Sequence, residues 1–303
     1  MKLTPRTKKI LTVVVLMFAV SLMSGCSIPR DDAGNIVQIT NSTTFSSIMA
    51  DENWFSAIFV FPLAKLVNLF DNYMNIGLSI ALVTIIVNVI LAAATMKSTI
   101  ATQQMQLIQP ELEKIQRKYE GRDDETSKMR QANEMNALYK KYDINPVSTL
   151  LVTFLQFPVI MAMYMAVQRS SAVQNGEFLG MNLQTTTMNG IKSAFSGNSA
   201  GWMYLVLFVV MILCQTLSVL LPTYLSNKKA KEEAAKHHKR YEPKNSNMTM
   251  NIYMIGMIAV FGLMFPAAMG LYWAINSLVT AIKTLAVQKI IESRQNAQKA
   301  GAR

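Results

Sequence analysis

The sequence predicts an all-α polytopic membrane protein of five transmembrane helices, with its amino terminus outside and a cytoplasmic helical hairpin after the first span. Three observations carry that prediction. Of 303 residues, 51% are hydrophobic and 16% charged, with a mean hydropathy of +0.24, a balance that soluble domains do not show. Apolar runs long enough to cross a hydrocarbon core of about 30 Å recur along the chain. Basic residues between them alternate in density: two (Arg30, Lys65) from Cys26 to Asn75, nine from Lys97 to Asn145, then Arg169 and Lys192, then seven from Lys228 to Lys244. Dense loops mark the cytoplasmic side. The net charge of +11 is therefore a topology signal, which argues against sequence-specific nucleic-acid binding.

In chain order, residues 1–25 have the three regions of a secretory signal. Lys2, Arg6, Lys8 and Lys9 precede the apolar run Ile10 to Val20, and Met23-Ser24-Gly25-Cys26 follows. The Ser-Gly-Cys ending resembles a bacterial lipobox, which makes Cys26 the candidate lipidation site. An uncleaved anchor helix with an incidental Cys is the competing reading. Residues 26–75 read as an extracytoplasmic linker and an interfacial helix. Ser27 to Ala50 is polar and rich in turn formers, so no fold is expected there. Trp54 to Phe70 is aromatic and amphipathic but interrupted by Pro62.

The five-helix membrane domain is assigned to residues 76–288. Its first span, Ile76 to Met96, carries one strongly polar residue near its middle, Asn88. A side-chain amide at that depth is costly without partners, so Asn88 should face other helices or water. Residues 97–145 then read as the hairpin. Apolar residues from Ile100 to Tyr119 and from Met129 to Tyr142 recur at helical spacing, Gly121-Arg122-Asp123-Asp124 forms the turn, and Pro110 suits a restart of the first arm. Nine basic and eight acidic residues leave the hairpin nearly neutral. Alone, it could be a mere spacer.

Val147 to Val167 is the second span and Trp202 to Leu221 the third. Asn245 to Ile282 carries no charge, exceeds one span and is divided by Pro266, so it reads as a hairpin of two helices. Five basic residues from Lys283 onward keep the carboxyl end inside, and residues 289–303 form a basic cytoplasmic tail, a topology anchor or a weak contact for ribosomal RNA. No Walker loop, Gly-rich dinucleotide turn or nucleophile set is present, so no enzyme activity and no cofactor are expected. His237 and His238 are the weak candidates for metal.

The order of parts from Asn72 to Gln288 resembles the YidC-type membrane protein insertases. The residues that carry the resemblance are Ile108-Gln109-Pro110-Glu111-Leu112 and Lys118-Tyr119 in the hairpin, with Leu138-Tyr139-Lys140 and Asn145-Pro146 after them. Leu155-Gln156-Phe157-Pro158-Val159 follows in the second span, then Phe265-Pro266-Ala267-Ala268 and Gly270-Leu271-Tyr272-Trp273 in the last hairpin. The resemblance implies a groove that lets the polar tail of a client cross the bilayer. It implies nascent membrane proteins and membrane lipids as partners, with the Sec translocon and the ribosome as further candidates, and the bacterial cell membrane as location.

Relatives hold an Arg in the first span in a Val-Arg-Leu-Ile-Leu-like setting. Here Thr84-Ile85-Ile86-Val87-Asn88-Val89-Ile90-Leu91 places Asn88 at that position. Asn keeps hydrogen bonding but brings no charge to a client carboxylate. Val147-Ser148-Thr149 and Asn276-Ser277 are further departures, so the chain resembles a diverged paralogue of altered client range. The candidate client-binding groove residues are Asn88, Thr84, Gln156, Gln215 and Asn276, with Thr95, Thr153, Ser218 and Thr280 beside them. Thr84, Asn88 and Thr95 share one helical face. The alternative role of these residues is ordinary interhelical hydrogen bonding. The 22 Met residues serve either a soft client surface or membrane packing. Two other functions compete with the insertase: an accessory subunit of a translocon or ribosome complex, and a small-solute transporter.

Overall fold

The computed structural model describes residues 28–142, 144, 146–236 and 246–301. The signal region 1–25, Cys26, His237 and His238 lie outside the described residues, as does the side chain of Thr153. The chain opens with α1 (Phe45–Asp51) and a wide π-helical turn (Ser56–Val60) that runs into α2 (Phe61–Asp71). Next come α3 (Ile76–Leu107), α4 (Gln109–Lys118), α5 (Glu125–Lys141), α6 (Pro146–Arg169) and α7 (Ser171–Asn175). A small antiparallel pair, β1 (Glu177–Phe178) and β2 (Met181–Asn182), precedes α8 (Thr187–Phe195). The long helices α9 (Gly201–Lys236), α10 (Ser246–Met264) and α11 (Ala267–Gly301) complete it.

Among the described residues, three helical stretches have the length and apolarity to cross a membrane: Ile76–Leu107, Gly201–Lys229 and Ala267–Ser293. Asn75 starts α3 by accepting the Leu78 N–H on its side chain at 3.0 Å. The helix then runs well past Met96, where the sequence placed the end of the span. Its 32 residues extend about 48 Å at 1.5 Å per residue, more than a bilayer core needs. Lys97 marks a change of polarity and not a change of backbone, since nothing between Met96 and Pro110 breaks a helix. The hairpin proper starts only at α4, with Pro110 in its first turn, as the restart at Pro110 predicts.

Gly121 turns the hairpin with φ +76°, a conformation in which a Cβ is strained, and Asp124 caps α5 by accepting the Ser127 N–H at 2.8 Å. Ile108, Leu112, Leu138 and Ile144 form its own small core. Tyr142 Oη donates to Glu111 at 2.6 Å, and Tyr119 Oη donates to Glu134 at 2.8 Å. Lys118 pairs with the same Glu134 oxygen. The bonds from Lys118 and Tyr119 hold the Glu134 carboxyl below its usual range, and the Glu134 contact raises Lys118.

The division at Pro266 is present: α10 ends at Met264 and α11 begins at Ala267. The segment before α8 holds this corner. Ala267 N–H donates to Thr185 O at 2.9 Å, Ala268 N–H to Leu183 O at 3.0 Å, and Thr187 N–H to Phe265 O at 3.1 Å.

The linker departs from expectation, because residues 28–51 are folded where no fold was expected. Ile39 is fully buried, and its N–H donates to Arg169 O at 2.7 Å. Arg169 explains why. Its guanidinium, wholly buried at the end of α6, donates to Val37 O at 2.9 Å and grips both oxygens of Glu52. A buried cation needs a carboxylate and a filled set of acceptors, and the linker supplies both. Asn68 of α2 completes the clasp, donating to Ile39 O at 2.6 Å and accepting from the Ser170 hydroxyl at 2.6 Å. Pro62 likewise does not interrupt the helix there, because it sits where the wide π-helical turn Ser56–Val60 passes into the first turn of α2.

The main apolar core lies at this linker end of the bundle. Ile76, Ile80 and Val83 of α3 pack with Met163 and Val167 of α6, Tyr204 and Leu207 of α9, and Tyr272 of α11. Gly190 of α8 admits the Tyr204 ring so closely that a Cβ would stand 2.2 Å from it. Toward the hairpin end the same four helices change character.

Candidate functional site: a polar cavity between the long helices

Beyond Asn88 the helices α3, α6, α9, α10 and α11 separate around a cavity of about 560 Å³. Seventeen of its twenty lining residues carry a polar group, the exceptions being Val219, Pro222 and Met254, with the aliphatic stems of the Gln, Thr and Lys side chains forming the rest of the wall. Of the residues singled out from sequence, Gln156 of α6, Gln215 and Ser218 of α9, and Asn276 and Thr280 of α11 all line it. The structure thus brings together residues that lie up to 124 positions apart (280 − 156).

Asn88 closes the top of the cavity instead of lining it. Only 6% exposed, it donates from Nδ2 to Thr84 O at 2.9 Å and to Asn276 Oδ1 at 3.1 Å. Thr84 and Thr95 do not reach the cavity. Each hydroxyl turns back on its own helix, Thr84 to Ile80 O at 2.7 Å and Thr95 to Leu91 O at 2.6 Å. The Ser277 hydroxyl donates to Gln215 Oε1, which fixes α9 against α11 and leaves the Gln215 amide nitrogen without a partner among the described residues.

Several lining residues escape the sequence reading. Thr99, Thr102, Gln103 and Gln106 lie on α3 beyond Met96, in the stretch read as hairpin. Their signal was present: positions 84, 88, 95, 99, 103 and 106 continue one helical face. Gln103 is 8% exposed and donates from Nε2 to Thr284 O at 3.3 Å, while its Oε1 is buried with no partner. Lower down, the Ser226 hydroxyl donates to Gln106 O at 2.9 Å and Asn251 Nδ2 donates to Thr223 Oγ1 at 3.1 Å.

The larger surprise is Lys283. The sequence counts it only as part of the basic carboxyl end, yet it is the charged residue in the cavity wall among the described residues. No carboxylate among the described residues is paired with it. The cavity consequently offers one positive charge among uncharged donors and acceptors.

Membrane-length helices, tightly packed at one end and parted around a wet, weakly positive cavity at the other, define a membrane-embedded protein with a polar interior. The family model described as the 60Kd inner membrane protein matches residues 68–295. "Membrane protein insertase YidC 1" of Streptococcus pyogenes is 32% identical over 250 residues, covering 81% of this chain and 79% of that protein. "Membrane protein insertase YidC 2" of Bacillus anthracis is 30% identical, covering 73% of this chain and 75% of its own. "Membrane protein insertase MisCA" of Bacillus subtilis is 28% identical, covering 80% and 83%. A crystal structure of an active YidC insertase with its first transmembrane domain resolved aligns at TM-score 0.47 and 22% identity, over 77% of this chain and 47% of that one. The chain belongs to the YidC-type membrane protein insertase family.

Proposed function

We propose that this chain is a membrane protein insertase of the bacterial cell membrane. It spans the bilayer five times, through α3, α6, α9, α10 and α11, with its amino terminus outside and the α4–α5 hairpin in the cytoplasm. Cys26 carries the lipid anchor. The single observation that carries this reading is the polar cavity placed between membrane-length helices. Charged and polar groups cost several kcal/mol in hydrocarbon, roughly 2.5–3.5 kcal/mol for one charge at a helix centre, and a wet cavity reaching part way across removes much of that barrier. The polar tail of a client enters the cavity while its apolar segment moves into lipid. Gln156, Gln215 and Asn276 keep the upper cavity hydrated, and Asn88 closes it above through its bond to Asn276. Nascent membrane proteins are the clients, and the Sec translocon and the ribosome are the partners that deliver them.

Lys283 supplies the cation that relatives carry on the first span. Client range then depends on a charge set lower and on a different helix from the family position held here by Asn88. The test is replacement in a bacterium depleted of its own insertase, following matched single-span clients with neutral or acidic tails. The expected result is insertion of both, with Lys283→Gln lowering the acidic client several-fold more than the neutral one. A chain stably present in the membrane that inserts neither client defeats the reading.

A further inference from the structure

We infer that the cavity holds the main chain of an extended client segment through side-chain carboxamides, so that its grip does not depend on client sequence. This rests on the insertase reading and names what the cavity recognises. Eight of the twenty lining residues are Gln or Asn, drawn from α3, α4, α6, α9, α10 and α11. A cavity that had only to be wet could be lined with Ser and Thr, which cost less side-chain entropy to order. A carboxamide differs from a hydroxyl in its shape: it presents a donor and an acceptor side by side, the same pair that each peptide unit presents.

The bonds already made show which atoms remain. Gln103 spends its donor on a main-chain carbonyl, Thr284 O, and leaves its acceptor buried and unmet. Gln215 spends its acceptor on Ser277 and keeps its donor. Asn251 spends its donor on Thr223 and keeps its acceptor. Gln106, Gln109 and Gln156 add three more carboxamides to the wall, with no side-chain bond to any of them among the described residues. Free donors and free acceptors are thus mixed along the wall, as an extended peptide requires and as a single carboxylate or ammonium group does not. An unmet buried acceptor such as Gln103 Oε1 gains most from an incoming N–H. The chain's own Thr284 carbonyl shows that a carboxamide here pairs with main chain in practice.

The experiment uses the full-length chain in phosphatidylglycerol and phosphatidylethanolamine nanodiscs and capped eight-residue peptides of Gly, Ser and Asn carrying a fluorophore. Binding is read by fluorescence anisotropy. Each main-chain bond lost should weaken binding by about 2- to 10-fold. N-methylation at alternate residues is therefore expected to weaken binding at least tenfold, while shuffling the peptide sequence changes it less than twofold. Gln103→Leu and Gln215→Leu should each weaken the unmodified peptide and leave the N-methylated one unchanged. Equal binding of methylated and unmethylated peptides to the unaltered chain, or no saturable binding, overturns the inference, and this arm needs no variant to fold. Insertion of single-span clients in liposomes separates the two readings. A chain that inserts clients yet ignores N-methylation loses only this inference, whereas one that binds main chain yet inserts nothing loses the insertase reading.

Discussion

The two ends of the helix bundle solve opposite problems with the same four helices. At the linker end Ile80, Val83, Met163, Val167 and Leu207 fill the space between them, and a buried Arg169–Glu52 pair ties the linker across α6. At the hairpin end the helices carry Gln, Asn, Ser and Thr at the corresponding faces and part around a cavity. The transition falls at Asn88 and Asn276, one contact wide. Apolar packing is concentrated where the interior is closed, and polar side chains are concentrated where it is open. A membrane protein gains little hydrophobic energy from helix association, so the closed end must hold by packing and by its few well-satisfied polar contacts.

The sharpest way to break that contrast is at Arg169. Replacing it with Ala leaves Glu52 buried without its cation, and thermal unfolding in detergent should show a loss of about 3–5 kcal/mol. Replacing both partners by apolar residues of similar volume should recover most of it. Next in size is packing: Ile80→Ala or Leu207→Ala should cost about 2–5 kcal/mol by the same measurement. A polar-end change such as Thr280→Val should cost almost nothing and yet reduce client insertion. Equal destabilisation at both ends would erase the distinction. Asn276→Leu removes the contact at the boundary and should cost about 0.6 kcal/mol, the average for an interhelical hydrogen bond in a membrane.

The smallest effect lies in the hairpin, outside both ends. Glu134 is held below its usual value, so its contribution is present above that value and lost as pH falls through the lowered one. Lys118 is raised, so its contribution is present below its ordinary value and lost as pH rises through the raised one. Hydrogen-exchange protection of residues 119–134 should therefore be flat near neutrality and fall slightly in acid. Glu134→Gln should reduce the acid change and leave the part that comes from Asp124, whose carboxyl the Ser127 hydroxyl and N–H hold below its usual range.

Features set by neighbours in sequence were legible, and features set by distant partners were not. Pro110 stands in the first turn of α4 and Pro266 between α10 and α11, and Asp124 caps α5 with an N–H three residues on, so these positions follow from local chemistry, whereas Pro158 and Pro222 are carried inside α6 and α9. The linker could not. Its fold depends on Arg169, which lies 117 residues from Glu52, and a polar stretch gives no sign of a buried cation so far away. Lys283 was illegible for another reason. A lysine at the end of a span marks topology by its number alone, and only the rotation of α11 against α3 and α9 turns it into the cavity. Gln103 and Gln106 were hidden by a boundary drawn at the first charge, although the polar face of α3 runs on past it. Asn88 was found because an amide at that depth demanded an explanation, and its partner, Asn276, was among the residues chosen with it.

The contacts that define the top and side of the cavity also fix when it can exist. Asn88 reaches Asn276 across 188 positions, and Gln103 reaches Thr284 across 181. Among the described residues, both join the first long helix to emerge during synthesis to the last. Until α11 arrives, Asn88 has only its own helix to bond and Gln103 has no main-chain partner. The chain must hold its early helix in a bilayer for most of its translation before the polar face of that helix is met. Its own biogenesis therefore poses the problem of an unsatisfied intramembrane amide, and the final helix is what ends it.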